Sequence, residues 1–194
     1  MSSEHSTLLL ASASPRRREL MATLGLPFEV LAAEIDESLP SGEAPERSVV
    51  RLAAEKAETG LKLRPEATVL GADTLVVLDG FAFGKPRDAA QARSMLRELS
   101  GRTHRVWTGV AVASAGAPTL VRAVVAEVGF RALSPQEIDA YVKTGEPLDK
   151  AGAYAIQGRA SAFVTELRGE LSTVVGLPMS ATIELLRERG AFGQ

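Results

Sequence analysis

Blocks of apolar residues along the chain switch between a period of two and a period near four, which predicts interleaved strands and helices. Thr7–Ala11 is an apolar run of strand length, followed by the small-residue loop Ser12-Ala13-Ser14. Pro15–Leu24 reads as a helix, with Ser14 as N-cap, Pro15 in the first helical position and Gly25 as the stop. Phe28–Leu31 is a second strand candidate. Over Pro45–Thr59 the apolar positions 49, 50, 52, 53 and 57 fall at helical spacing, and Gly60 marks the expected end. Thr68–Leu78 is rich in strand formers, and Asp79-Gly80 before Phe81-Ala82-Phe83 signals a hairpin. Asp88–Leu99 opens with Asp88 and Gln91 at capping-box spacing, predicting a helix.

The second half alternates in the same way without repeating the sequence. Val106–Ala113 and Thr119–Phe130 read as long strands joined through Ala115-Gly116-Ala117-Pro118. Ser134-Pro135-Gln136-Glu137 is a second capping box, opening a helix that reaches to about Thr144. A glycine-punctuated stretch runs from Gly145 to Gly158, Ala162–Leu167 is a strand candidate, and Pro178–Arg189 is a terminal helix stopped at Gly190. The polar residues 1–6 predict a frayed terminus. Mixed strands and helices with a long central hairpin indicate an α/β fold with a mixed sheet. No linker is visible, so a chain of 194 residues is expected to be a single domain, any second lobe being built into it.

Composition narrows the chemistry. A net charge of −2 removes the global basic field of a non-specific nucleic-acid binder, and nine aromatic residues are too few for a single-strand stacking platform. The absence of cysteine excludes disulfides and thiolate chemistry. With only His5 and His104, no histidine-pair metal signature exists. No apolar run approaches about 18 residues and no signal-like start is present, so the expectation is a soluble cytoplasmic protein without a membrane partner. Arginine outnumbers lysine 17 to 5. Lysine is a compact point charge on a slim stem, so Lys56, Lys85 and Lys150, set among small or acidic residues, suggest tight sites. Lys62 and Lys143 read as surface charges.

Leu10-Ala-Ser-Ala-Ser-Pro-Arg-Arg-Arg joins a strand, a small-residue loop and a helix start, an arrangement whose free N–H groups suit an anion. Three arginines at the positive end of a helix are electrostatically unfavourable unless a polyanion docks there, and guanidinium forks match phosphate. Successive helix positions turn by about 100°, so Arg16 is the first candidate and Arg17 the second, with Arg18 left in solvent. Ser12 lies in the same loop. Asp73, inside the apolar run Val69–Val77, must face a polar cleft, bind a cation or cap a helix, since an unpaired buried carboxylate is costly. Beside phosphate it is a candidate Mg²⁺ ligand or general base. Gly84-Lys85-Pro86 lacks P-loop spacing, which excludes a Walker-type site but leaves Lys85 as a phosphate neutraliser, with Lys56 opposite. Gln157 sits in a Gly/Ala-rich stretch and carries both donor and acceptor, the equipment for reading a base edge. The acidic run Glu34-Ile-Asp-Glu37 offers Glu34 as a second metal ligand. His104 has no acidic neighbour in sequence and reads as structural.

Taken together, these segments resemble the Maf family of nucleoside triphosphate pyrophosphatases, from Leu10 to about Leu186. The resemblance rests on Ala-Ser-x-Ser-Pro-Arg-Arg (11–17), Glu-Lys-Ala (55–57), Gly-Ala-Asp-Thr (71–74), Gly-Lys-Pro (84–86) and Ser-Gly-x-Thr-His (100–104). Thr-Gly (108–109), Asp-Lys-Ala-Gly-Ala-Tyr-x-Ile-Gln-Gly (149–158) and Val-Val-Gly-Leu-Pro (174–178) complete it. Thr173 departs from the asparagine that many relatives carry. The resemblance implies a mixed central sheet with flanking helices and a two-lobed cleft, similar to the inosine-triphosphate pyrophosphatases. It also implies hydrolysis of a nucleoside triphosphate to monophosphate and pyrophosphate with a divalent cation, Mg²⁺ first and Mn²⁺ second, in a cytoplasmic homodimer. It gives Asp73 the role of proton acceptor and makes Arg16, Thr74 and Gln157 specificity positions. Their identities resemble the dTTP/UTP subgroup rather than the 7-methyl-GTP subgroup. A nucleotide-responsive regulator of septum formation and an RNA binder using Arg16–Arg18 are the competing expectations.

Overall fold

A computed structural model describes residues 7–191, so the expected fraying of residues 1–6 lies outside the described residues. The chain forms two compact units. One runs up to Asp73 and takes in Thr108–Val124 and the part from Gly176 onward; the other comprises Thr74–Trp107 and Val125–Val175. Seven strands and six α-helices alternate along the described chain, giving the mixed α/β class predicted from the residue pattern.

In the first unit, β1 (Leu8–Leu10) lies parallel to both β2 (Glu29–Val30) and β3 (Thr68–Leu78), with Leu9 opposite Glu29 on one side and Val69 on the other. The Thr108–Ala113 part of β5 (Thr103–Ala113) and the Leu120–Val124 part of β6 (Leu120–Phe130) also belong to this unit, and the strand order is β2-β1-β3-β5-β6. Helices α1 (Pro15–Ala22), α2 (Pro45–Leu63) and α6 (Met179–Glu188) belong to this unit. Leu10, Leu70, Val110, Met21 and Leu185 are fully buried in one apolar cluster, so burial rather than helix propensity stabilises the short helices α1 and α6.

α2 continues through Gly60, which the pattern had marked as its end; the Arg64 N–H bonds the Gly60 carbonyl at 3.0 Å. The glycine is needed for packing instead, because a Cβ there would stand 2.8 Å from Val69 Cγ1. Gly71 is tighter: its Cβ would stand 2.3 Å from the Ala53 carbonyl oxygen and 2.7 Å from Ala57 N. Glycine and alanine on the facing surfaces therefore let the α2 backbone lie directly against β3, and this contact sets the candidate site.

In the second unit, β4 (Phe81–Phe83) returns antiparallel on β3 through Asp79 and Gly80, both at positive φ as a two-residue hairpin requires. β7 (Val164–Arg168) pairs antiparallel with β6, with Val128 opposite Leu167. α3 (Ala89–Leu99) is capped by Asp88, but the Gln91 side chain accepts from the Arg87 N–H rather than returning to Asp88, so the predicted box closes on one side only. At α4 (Pro135–Val142) the Ser134–Glu137 box is complete. α5 (Leu171–Val175) and three short 3₁₀ turns, at Glu146–Asp149, Ala151–Ala153 and Arg159–Phe163, were not visible as periodicity because each is at most five residues long.

Candidate active site

The loop after β1 is stapled by its own hydroxyls. Ser12 Oγ accepts from the Ser14 N–H at 3.2 Å, and Ser14, the N-cap of α1, accepts from the Arg17 N–H at 3.4 Å. Arg17 folds back over this loop, donating from Nε to the Gly176 carbonyl at 2.8 Å and from Nη1 to Ser12 Oγ at 3.3 Å. Burial pushes its guanidinium below the ordinary value, Asp73 and Glu37 pull the other way, and the Arg16 charge adds to the lowering. Arg16 is half-buried and its side chain makes no hydrogen bond or ion pair among the described residues, while Arg18 is exposed. The two leading arginines thus divide the work: Arg17 is built into the site and Arg16 stands uncommitted beside it.

At the centre is a three-membered ionic cluster. Lys56 Nζ, on the buried face of α2, lies 2.6 Å from Asp73 Oδ1 and 2.6 Å from Glu37 Oε1. The side chains of Lys56 and Asp73 are 8% and 11% exposed, against 55% for Glu37. Asp73 follows Gly71 at the strand period of two, and Lys56 adjoins Ala57, so the close approach of α2 to β3 brings ammonium and carboxylate together. Of the environments open to Asp73 on sequence alone, its charge is balanced by a cation, and that cation is the protein's own. The second oxygen of Asp73 makes no hydrogen bond among the described residues.

From the acidic run, the structure brings in Glu37. Glu34 is exposed and takes no side-chain partner among the described residues, and Asp36 is spent on the Ser38 N–H at 2.9 Å. Nothing in the spacing of three nearby carboxylates singles out Glu37; the sole signal was membership of the run. Two carboxylates gathered around one positive centre are a hard-oxygen donor set. The described residues contain no cluster of three or more metal-ligating side chains. That pairing suits Mg²⁺, which one or two carboxylates hold while phosphates and water complete its shell.

Thr74, Lys85 and Gln157 belong to the second unit. Thr74 is half-buried on β3 immediately after Asp73. Lys85 is exposed just beyond β4, where the preceding Gly84 carbonyl accepts from the Gly152 N–H at 3.1 Å, so the Gly-Lys-Pro and Ala-Gly-Ala segments lie side by side. Gln157 is exposed on a turn closed by the Gly158 N–H on the Ala155 carbonyl at 2.9 Å. His104 is buried in the core of this unit, Nε2 2.8 Å from Tyr154 Oη and its ring edge-on to Phe130 and Tyr154. Burial lowers its pKa to about 4, a neutral packing imidazole as its sequence setting suggested. Lys62 and Lys143 are exposed, as expected of surface charges.

The fold and this centre define a mixed α/β protein with a strand–loop–helix opening beside a carboxylate–ammonium–carboxylate cluster. The chain belongs to the family described as Maf-like protein, which it matches over residues 7–189. It is 53% identical over 190 residues to the dTTP/UTP pyrophosphatase of Myxococcus xanthus, covering 98% of this chain and 96% of that one. To the dTTP/UTP pyrophosphatase of Salmonella typhimurium it is 54% identical over 187 residues, covering 96% and 94%. Among solved structures, the Ham1 protein of Staphylococcus aureus superposes with a TM-score of 0.52 at 14% identity, covering 96% of this chain and all of that one; this likeness is one of fold. Among the described residues no helix is long and apolar enough to cross a membrane.

Proposed function

We propose that this chain hydrolyses nucleoside triphosphates to the monophosphate and pyrophosphate, with dTTP and UTP as preferred substrates. The observation that carries the reading is the Lys56–Asp73–Glu37 cluster beside the Ser12–Arg17 loop, in a chain more than half identical to proteins named for that reaction. Ser12, Arg16 and Arg17 take phosphate oxygens at the start of α1, and Lys85 adds charge to the leaving pyrophosphate. Asp73 keeps one oxygen on Lys56 and uses the other to orient a water and accept its proton, as the water oxygen bonds to the α-phosphorus and the bond to the bridging oxygen breaks. Lys56 fixes the carboxylate in place, so little reorganisation accompanies the step. Asp73 and Glu37 are the residues that would hold a divalent cation, Mg²⁺ or Mn²⁺, with Glu37 in the place first offered to Glu34. When bound, such an ion neutralises phosphate charge. Thr74 and Gln157 read the pyrimidine base, whose carbonyl–imide edge matches a side-chain amide. The enzyme works as one functional domain, in a cytoplasmic homodimer.

The test is pyrophosphate release from dTTP, UTP, CTP, GTP and 7-methyl-GTP with Mg²⁺ or Mn²⁺. Preference for dTTP and UTP supports the assignment. Preference for the methylated purine overturns the base assignment, and binding without pyrophosphate release turns the reading toward a nucleotide-responsive regulator.

A further inference from the structure

Around Gln157, one side-chain network reaches both ends of the turn. Tyr141, on the buried face of α4, accepts the Ala155 N–H at 3.1 Å and donates its hydroxyl to Glu146 Oε1 at 2.9 Å. The Glu146 carboxylate accepts the Arg159 N–H at 3.0 and 3.3 Å through its two oxygens. Residues 155 and 159, flanking Gln157 two positions on either side, are thereby tied to the same phenol–carboxylate pair. Gly158 completes the fit: a Cβ there would stand 2.3 Å from Glu146 Oε1, so the carboxylate occupies the space a side chain would take.

The clamp is itself anchored. The Tyr141 ring packs edge-on against Phe163 at 5.2 Å, the Glu146 N–H bonds Thr144 Oγ1 at 3.2 Å, and the Glu146 carbonyl accepts from Lys150 Nζ at 2.8 Å. Lys150 gives its ion pair to Asp149, not to the Glu146 carboxylate, which forms no salt bridge among the described residues. A surface glutamate near a lysine would ordinarily pair with it; this one spends its charge on a phenol and a main-chain N–H, bonds stronger than neutral ones.

We propose that Glu146 and Tyr141 are positioning residues that hold the Gln157 turn in its base-reading conformation and so set nucleotide selectivity. The proposal rests on Gln157 reading the base, and the experiment separates the two. Gln157→Ala, Glu146→Ala, Glu146→Gln, Tyr141→Phe and the Glu146→Ala/Gln157→Ala double variant of the full chain are compared for dTTP and GTP, by turnover, by calorimetric binding affinity and by thermal melting. Gln157→Ala is expected to reduce the dTTP-over-GTP preference, and Glu146→Ala to reduce it about tenfold, through KM and affinity more than through kcat. Glu146→Gln, which keeps an acceptor, restores most of the loss, Tyr141→Phe falls between, and the double variant is no less selective than Gln157→Ala. Selectivity lost in Gln157→Ala but kept in both Glu146→Ala and Tyr141→Phe overturns the clamp alone. Selectivity kept in Gln157→Ala overturns the base-reading role and the clamp with it. Multiplied losses in the double variant, or an equal fall in turnover for both nucleotides, reduce Glu146 to a structural part and also overturn the proposal. Should Glu146→Ala fail to fold, Tyr141→Phe, which removes one hydroxyl, decides the matter.

Discussion

Lys56, Asp73 and Glu37 hold one another by charge, with two contacts of 2.6 Å meeting at a single ammonium, whereas the Gln157 turn is held by a phenol and a carboxylate gripping main-chain N–H groups. The first arrangement hinges on its centre: removing Lys56 leaves the buried Asp73 carboxylate without its partner. The second is graded, because each hydrogen bond can be loosened while the others persist. The proposed chemistry at phosphorus calls for fixed charge and the proposed base reading for a fixed shape, and the two regions differ accordingly. Arg17 and Lys85 show the same contrast, one locked over its loop by two hydrogen bonds and the other exposed beyond a short strand.

The sharpest way to break this comparison is Asp73→Asn. It preserves shape and removes the proposed proton acceptor, so turnover should fall about a thousandfold or more while nucleotide binding measured by calorimetry stays largely intact. An active Asp73→Asn enzyme removes Asp73 as the base. Lys56→Met comes next: it leaves Asp73 and Glu37 facing each other and should cost about 3 kcal/mol in urea unfolding, the low end for a buried pair. The low end applies because Glu37, with a side chain 55% exposed, can turn to water. Unchanged stability would show that the cluster is not the rigid element described.

His104 probes the second unit through pH. Its folded-state pKa of about 4 lies below the ordinary 6.5, so the folded form binds fewer protons and the stability from the neutral ring is complete above pH 6.5. That stability drains away as pH falls from 6.5 toward 4, a contribution of about 3 kcal/mol at full size. Denaturant midpoints across this window should slope in the parent and flatten in His104→Phe; equal slopes would place the titration elsewhere. The smallest effect is expected at exposed Lys85: Lys85→Ala should weaken triphosphate binding about tenfold and monophosphate binding far less, read by calorimetry. Equal losses would reject its phosphate role.

Much of the architecture was legible because it is local. The Ser14 and Ser134 caps and the Asp79-Gly80 hairpin rest on contacts within a few residues, the strand at Thr68–Leu78 announces itself as a run of strand-forming residues, and all are present. Gly60 shows where local reading breaks down. Glycine is a poor helix former, yet the helix runs through it because the neighbouring strand leaves no room for a larger residue. The site divides along the same line. Asp73 and Lys56 stood out as charges in apolar or small-residue settings, but their mutual pairing did not, and Glu37 was one acidic residue among three.

From sequence alone came the family, the order of the elements, the residue types proposed to carry the chemistry and the Arg/Thr/Gln identities at positions 16, 74 and 157, because motifs and short-range periodicity are written in consecutive residues. Tertiary structure chose which carboxylate joins Lys56, which arginine is fastened down, and what braces the Gln157 turn. Those choices bring together residues 37, 56 and 73, or 141, 146 and 159, and depend on how closely one backbone can approach another. Gly71 against Ala53, and Gly158 against Glu146, set that distance of approach, and no local pattern along the chain encodes it.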